Sequence, residues 1–311
     1  MNSHGNVSRL NSTPPPQQQN PLPETPRSQR RHQQPAPSSP ELPARRGDSL
    51  VLRGWRAVKY LFASDPFPEQ LEDALEMCQA PVTSGRRIAV MSPVGGAGVS
   101  TLVALMARQF VSIRTEPIYA VELNHPLSAE AGLQRRIDPD PAENLTVVSE
   151  FATHPDDLDR ECINDAFQYY AQNAAVTLFD LPPRLDLLEP LHHGLHELII
   201  PVPCYPAAVE ATEKFCTRVA AAYPELAMMP LLVDSYRTSR ATRRDFWKMA
   251  RHSRLEDHFA ATRRRSLLTL RYDLHLAAGA PVQLSLLSEK ARLQVASIAG
   301  RALKIATDGE L

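Results

Sequence analysis

One stretch constrains this chain more than any other: Arg87-Ile88-Ala89-Val90-Met91-Ser92-Pro93-Val94-Gly95-Gly96-Ala97-Gly98-Val99-Ser100-Thr101. A short apolar run breaks into a glycine-rich turn, and an apolar helical pattern, Leu102-Val103-Ala104-Leu105-Met106-Ala107, follows. Strand, tight loop and helix in that order bring backbone N–H groups and the positive end of a helix dipole to one point, a geometry suited to an anion. The P-loop pattern G-x-x-x-x-G-K-[ST] also places a lysine before the hydroxyl residue, because phosphate charge needs a cation as well as amides. Here that place holds Val99. At this level a glycine-rich strand-to-helix turn of another α/β protein reads the same way, so the rest of the chain has to decide.

The remainder alternates. Pro117 to Glu122, Leu145 to Val148, Ala175 to Asp180, Glu197 to Pro203 and Met229 to Asp234 are apolar runs of strand length. Helical patterns fall over Asp156 to Gln172, Ala207 to Ala222, Ser239 to Arg251 and Ser288 to Thr307. Repeated strand–helix units predict an α/β fold with a doubly wound, mainly parallel sheet and its ligands at the carboxyl ends of the strands. Three runs end there in a carboxylate: Glu122, Asp180 and Asp234. A strand ending in Asp beside a phosphate loop is the Walker B arrangement, in which the carboxylate holds a metal ion through water.

The order Gly-Gly-x-Gly-x-Ser-Thr resembles the deviant Walker A loop of the MinD/ParA (SIMIBI) family of P-loop NTPases, Lys-Gly-Gly-x-Gly-Lys-Thr-Thr. The resemblance extends over residues 50 to 305 and is nearest to the EspI-like MinD-type proteins of actinobacterial type VII secretion. Its pieces, in order, are Gly54-Trp55-Arg56, Arg87 to Thr101, Tyr119-Ala120-Val121-Glu122 and Asp273 to Gly279. It implies ATP and Mg²⁺ as cofactors, held by Gly95, Gly96, Ala97, Gly98, Val99, Ser100, Thr101, Arg184 and Asp234, with Ser100 and Asp180 at the metal. Glu122 and Asp180 take the catalytic positions.

The departures bear on catalysis. Val94 stands where the family's signature lysine reaches across a dimer, Val99 where the ordinary P-loop lysine lies, Glu122 where an aspartate helps hold Mg²⁺ and the attacking water, and Arg184 where a switch glycine meets the γ-phosphate. Phosphoryl transfer depends on positioned charge, so hydrolysis should suffer more than binding. The resulting expectation is a degenerate protein of this family, with weak or absent ATP hydrolysis, acting as an accessory or scaffold in type VII secretion or cell-pole organisation. Two alternatives stay open: a slow ATPase in which Arg184 replaces a lost lysine, and a DNA- or membrane-surface partitioning protein.

The ends of the chain differ from its middle. Residues 1 to 50 hold ten of the 28 prolines, six Arg and three acids, with almost no aliphatic periodicity, and are expected to be a disordered tail. Residues 51 to 84 read as amphipathic docking helices, Trp55, Val58, Leu61 and Phe62 sharing one face and a second helix running from Pro68 to Gln79; residues 85 to 307 form the P-loop domain. The tail or residues 52 to 62 are the candidate protein-partner surface, and a homodimer follows from the resemblance. Arginines and lysines concentrated between 237 and 271 are a candidate nucleic-acid surface, and the amphipathic last helix a candidate peripheral membrane contact. No run nears eighteen apolar residues, and no secretory signal is visible, so a cytoplasmic location, peripheral to the inner membrane face at most, is expected. Cys78, Cys162, Cys204 and Cys216 form no C-x-x-C pair and read as reduced structural thiols.

Overall fold

The computed structural model describes residues 67–124, 132–137, 142–149, 167–170, 172–237, 239–253, 255, 257 and 268–308. The proline-rich tail, the 52–62 segment and Cys162 therefore lie outside the described residues. In chain order the elements are α1 (Phe67–Cys78), β1 (Arg86–Val90), α2 (Val99–Val111), β2 (Ile118–Glu122), α3 (Leu133–Ile137), β3 (Leu145–Val148), β4 (Val176–Asp180), α4 (Leu188–Leu191), β5 (Glu197–Pro203), α5 (Pro206–Ala222), β6 (Ala227–Val233), α6 (Arg240–His252), β7 (Leu268–Leu270), α7 (Leu274–Ala277) and α8 (Glu289–Asp308).

Seven strands form one sheet in the order β3-β2-β4-β1-β5-β6-β7, and every pairing is parallel. The chain first runs outward from β1 to β3, returns to β4 beside β1, and then continues to the opposite edge. The loop after β1 thus sits where the winding reverses, the position at which open parallel sheets hold ligands.

Side-chain alternation along the strands feeds two apolar layers. Ile88 and Val90 of β1, Val176 and Leu178 of β4, and Met229 and Leu231 of β6 join α2 and α8 on one face. Ala89, Phe179, Met228 and Leu232 face the other way, toward α5 and α6. Both faces of the sheet are covered, which explains why its strands read as continuous apolar runs. The last helix buries Val295, Ile298, Leu303 and Ile305, so its apolar stripe is spent on the protein's own core. Against α8 lies α1, close enough that a Cβ on Gly300 would come within 2.7 Å of the Ala74 carbonyl oxygen. Among the described residues, no helix is long and apolar enough to cross a membrane.

Four short elements were not legible in the sequence: the five-residue α3, the four-residue α4 and α7, and the three-residue β7. None is long enough to show a period. Cys78, Cys204 and Cys216 carry free thiols, each pushed up to about 12, chiefly by burial, as befits unreactive packing residues.

Candidate functional site

β1 ends in a bend in which Ser92 Oγ donates to the Pro201 carbonyl at 2.8 Å and accepts from the Val94 amide at 3.3 Å. These bonds tie the loop to the end of β5. Gly96 and Gly98 have φ of 70° and 86°, left-handed conformations that a side chain strains, and Gly98 is the N-cap of α2. No side chain caps this helix, and a Cβ at Gly95, Gly96 or Gly98 would meet nothing within 4 Å. The glycines border open space with a thirteen-residue helix aimed into it.

That space is a cavity of about 690 Å³, lined by Ser92, the loop from Val94 to Thr101, Asn124, Arg135, Arg136 and Pro183, among others. Seven candidate residues, Gly95, Gly96, Ala97, Gly98, Val99, Ser100 and Thr101, therefore come together on one wall. Val99 opens α2 and packs against the core cluster behind the loop. A smaller cavity of about 240 Å³ also touches Gly96, Gly98, Thr101 and Arg136, and reaches the ends of β6 and β7 at Asp234, Tyr236 and Tyr272.

Behind the loop, Asp180 and Glu122 are register partners at the carboxyl ends of β4 and β2. Asp180 is fully buried, and neither of its oxygens has a hydrogen bond of good geometry. Burial pushes its carboxyl up to about 7; the Ser100 hydroxyl works against that rise, the Glu122 charge adds to it, and Asn124 again opposes it. A buried carboxylate left without a bonded partner, next to a loop hydroxyl, suits a hard divalent cation, which takes oxygen donors and keeps waters in its shell. The donor set and the open cradle fit a metal-bound phosphate ligand.

Three candidate residues have partners of their own within the fold. Glu122, 3% exposed, accepts a 2.6 Å hydrogen bond from the Leu133 amide, so the longer carboxylate anchors the start of α3, a partner the sequence reading did not give it. Arg184 pairs with Asp186 at 2.7 Å, two residues along its own turn, and is not among the residues lining either cavity. Asp234 makes an ion pair with Arg243 at 3.0 Å, which ties β6 to α6, although it also borders the smaller cavity. Arg243 belongs to the basic 237–271 segment, so that segment spends one of its charges inward. Sequence reasoning missed Arg135 and Arg136, whose only signal was a basic doublet between two apolar residues, Leu133 and Ile137.

Neither protein-family models nor curated protein sequences give a match to this chain. Solved structures do. A ParA family ATPase from Chlorobium tepidum TLS aligns with a TM-score of 0.52 at 14% identity, covering 69% of this chain and 98% of that one. The septum site-determining protein MinD from Pyrococcus horikoshii OT3, complexed with Mg-ADP, gives 0.47 at 16%, over 68% and 94% of the two chains. Cyanthece apo McdA gives 0.49 at 7%, over 69% and 99%. The first of these establishes that the chain has the ParA-type P-loop fold.

Proposed function

We propose that this chain is a nucleotide-binding protein of MinD/ParA type with weak or absent hydrolysis, serving as an accessory or scaffolding factor in type VII secretion or cell-pole organisation. The observation that carries the binding half is the pairing of an uncapped, open glycine cradle with the unpartnered, buried Asp180 behind it. Gly95 to Thr101 would hold the phosphates through backbone amides, Ser100 and Asp180 would hold Mg²⁺, and the smaller cavity is of a size for a base. Bound Mg²⁺ supplies charge neutralisation at the phosphate oxygens; the chain's own residues bind and orient.

The weak-hydrolysis half follows from what surrounds the cradle. No loop lysine is present, Val94 gives a second copy nothing cationic to contribute, and Glu122 is engaged by the Leu133 amide. Each removes a group that phosphoryl transfer needs positioned on the phosphates, so hydrolysis should suffer more than binding. The secretion assignment is supported by the order of Gly54-Trp55-Arg56, the loop, Tyr119 to Glu122 and Asp273 to Gly279 along the chain. In the structure, Asp273 accepts from the His275 and Ser288 amides at 2.9 and 3.1 Å, holding the last of these motifs against the smaller cavity.

A turnover assay tests this reading. ATP hydrolysis by the wild-type chain should be indistinguishable from that of Asp180→Ala. Turnover abolished by Asp180→Ala would instead favour the slow-ATPase alternative.

A further inference from the structure

A bound nucleoside triphosphate carries several negative charges into a cradle that offers only amides and the end of a helix dipole, equivalent to about half a charge. Among the described residues lining the larger cavity, the charged ones are Arg135 and Arg136, both on α3. Arg136 lines the smaller cavity too, so it stands where the two spaces meet.

The backbone that carries this pair is pinned from several directions. Glu122 Oε1 accepts from the Leu133 amide, the Val282 amide donates to the Arg136 carbonyl at 2.7 Å, and Arg108 Nη2 donates to the Ile137 carbonyl. Leu133 and Ile137 are buried in the core. A doublet of like charges is thus fixed beside the phosphate loop. Such a pair opposes itself: burial, then the neighbouring Arg135 charge, lowers the Arg136 pKa. The contact from Arg136 Nη1 to the Leu276 carbonyl is long, 3.4 Å, and leaves most of a five-donor guanidinium's capacity for other acceptors. An anion between the doublet and the loop amides offsets the repulsion of the two like charges.

We infer that Arg135 and Arg136 are the cations of this phosphate site, binding the oxygens of a nucleoside polyphosphate seated on Gly95–Thr101 in place of the lysines absent at Val94 and Val99. Guanidinium suits the task, because its planar fork meets phosphate oxygens bidentately. Glu122 is then a positioning residue, fixing α3 and through it the doublet. The inference rests on the nucleotide-binding reading above.

Calorimetric titration of Mg-ATP, Mg-ADP and AMP into the full chain separates the two. Each charge-assisted contact is worth about ten- to a hundredfold in affinity, so Arg135→Gln/Arg136→Gln should weaken Mg-ATP binding by about a hundredfold or more. The loss should shrink from ATP to AMP, a gradient that damaged packing would not produce. Val99→Lys should recover much of the affinity in the doubly substituted chain and add less to the wild type. Wild-type binding left unchanged by the double substitution would overturn the inference and spare the nucleotide reading; no wild-type binding would overturn both. Should the double variant lose its cooperative melting transition, Arg135→Gln alone, at an exposed position, decides: an ATP-selective loss of fivefold or more supports the inference, and unchanged affinity overturns it.

Discussion

Asp180 and Glu197 are both fully buried carboxyls on neighbours of β1, one at the carboxyl edge of the sheet and the other at its amino edge. Neither has a hydrogen-bond partner of good geometry, and burial is the largest cause of the upward pKa shift in each. Their surroundings differ. Around Asp180 stand Ser100, Asn124 and Glu122, with an open glycine cradle and an arginine doublet beyond. Burial alone accounts for the shift at Glu197, which sits in register with Ile88 and Ala227. Burying a carboxyl makes it protonated; surrounding it with polar groups beside a space makes it a site. One edge of this sheet is built to receive charge, the other to exclude it.

The largest expected effect breaks that pair apart. Asp180→Ala should abolish the magnesium-dependent part of nucleotide binding, measured by titration with and without the metal. Glu197→Gln should leave it untouched. A change of equal size in both variants would mean that Asp180 acts through the fold rather than through the ligand.

A smaller effect lies in stability. Because the folded-state pKa of Glu197 is raised, its contribution is fully present below the ordinary carboxylate range and is lost as pH climbs from there toward the folded value. Glu197→Gln should therefore melt close to wild type near pH 4 and about 2–4 °C above it at pH 8, the shift that roughly 1 kcal/mol produces in a domain of this size. A gap that narrows with pH would show that the carboxyl is ionised and paired in the fold.

The least effect is expected at Arg184, whose partner is the exposed Asp186. Arg184 lines neither cavity and its surface pair contributes about 0.2–1 kcal/mol to the fold alone, so Arg184→Ala should shift Mg-ATP affinity by less than about twofold. A tenfold loss would restore Arg184 as the substitute cation and remove the need for the α3 doublet.

The sheet was legible because six of its seven strands are apolar runs flanked by helices of readable period; β7, three residues beside a basic stretch, was not. The glycine cradle and Asp180 were equally legible, since the loop pattern and a strand-end carboxylate are local signals. The cations were not. Arg135 and Arg136 lie about forty residues past the loop, on a helix of five residues, and only the return of the chain over β2 brings them to the cavity. Glu122 shows the same limit: its strand-end position was readable, but its bond to the Leu133 amide depends on where the chain goes next.

The central claim is that the carboxyl edge holds a metal-bound nucleotide on a loop without lysines. Calorimetric titration of ATP into the wild-type chain, with and without Mg²⁺, tests it most directly. The account predicts saturable binding that Mg²⁺ strengthens. A folded chain that takes up no ATP under either condition would contradict it and leave Gly95, Gly96 and Gly98 as a structural turn between β1 and α2.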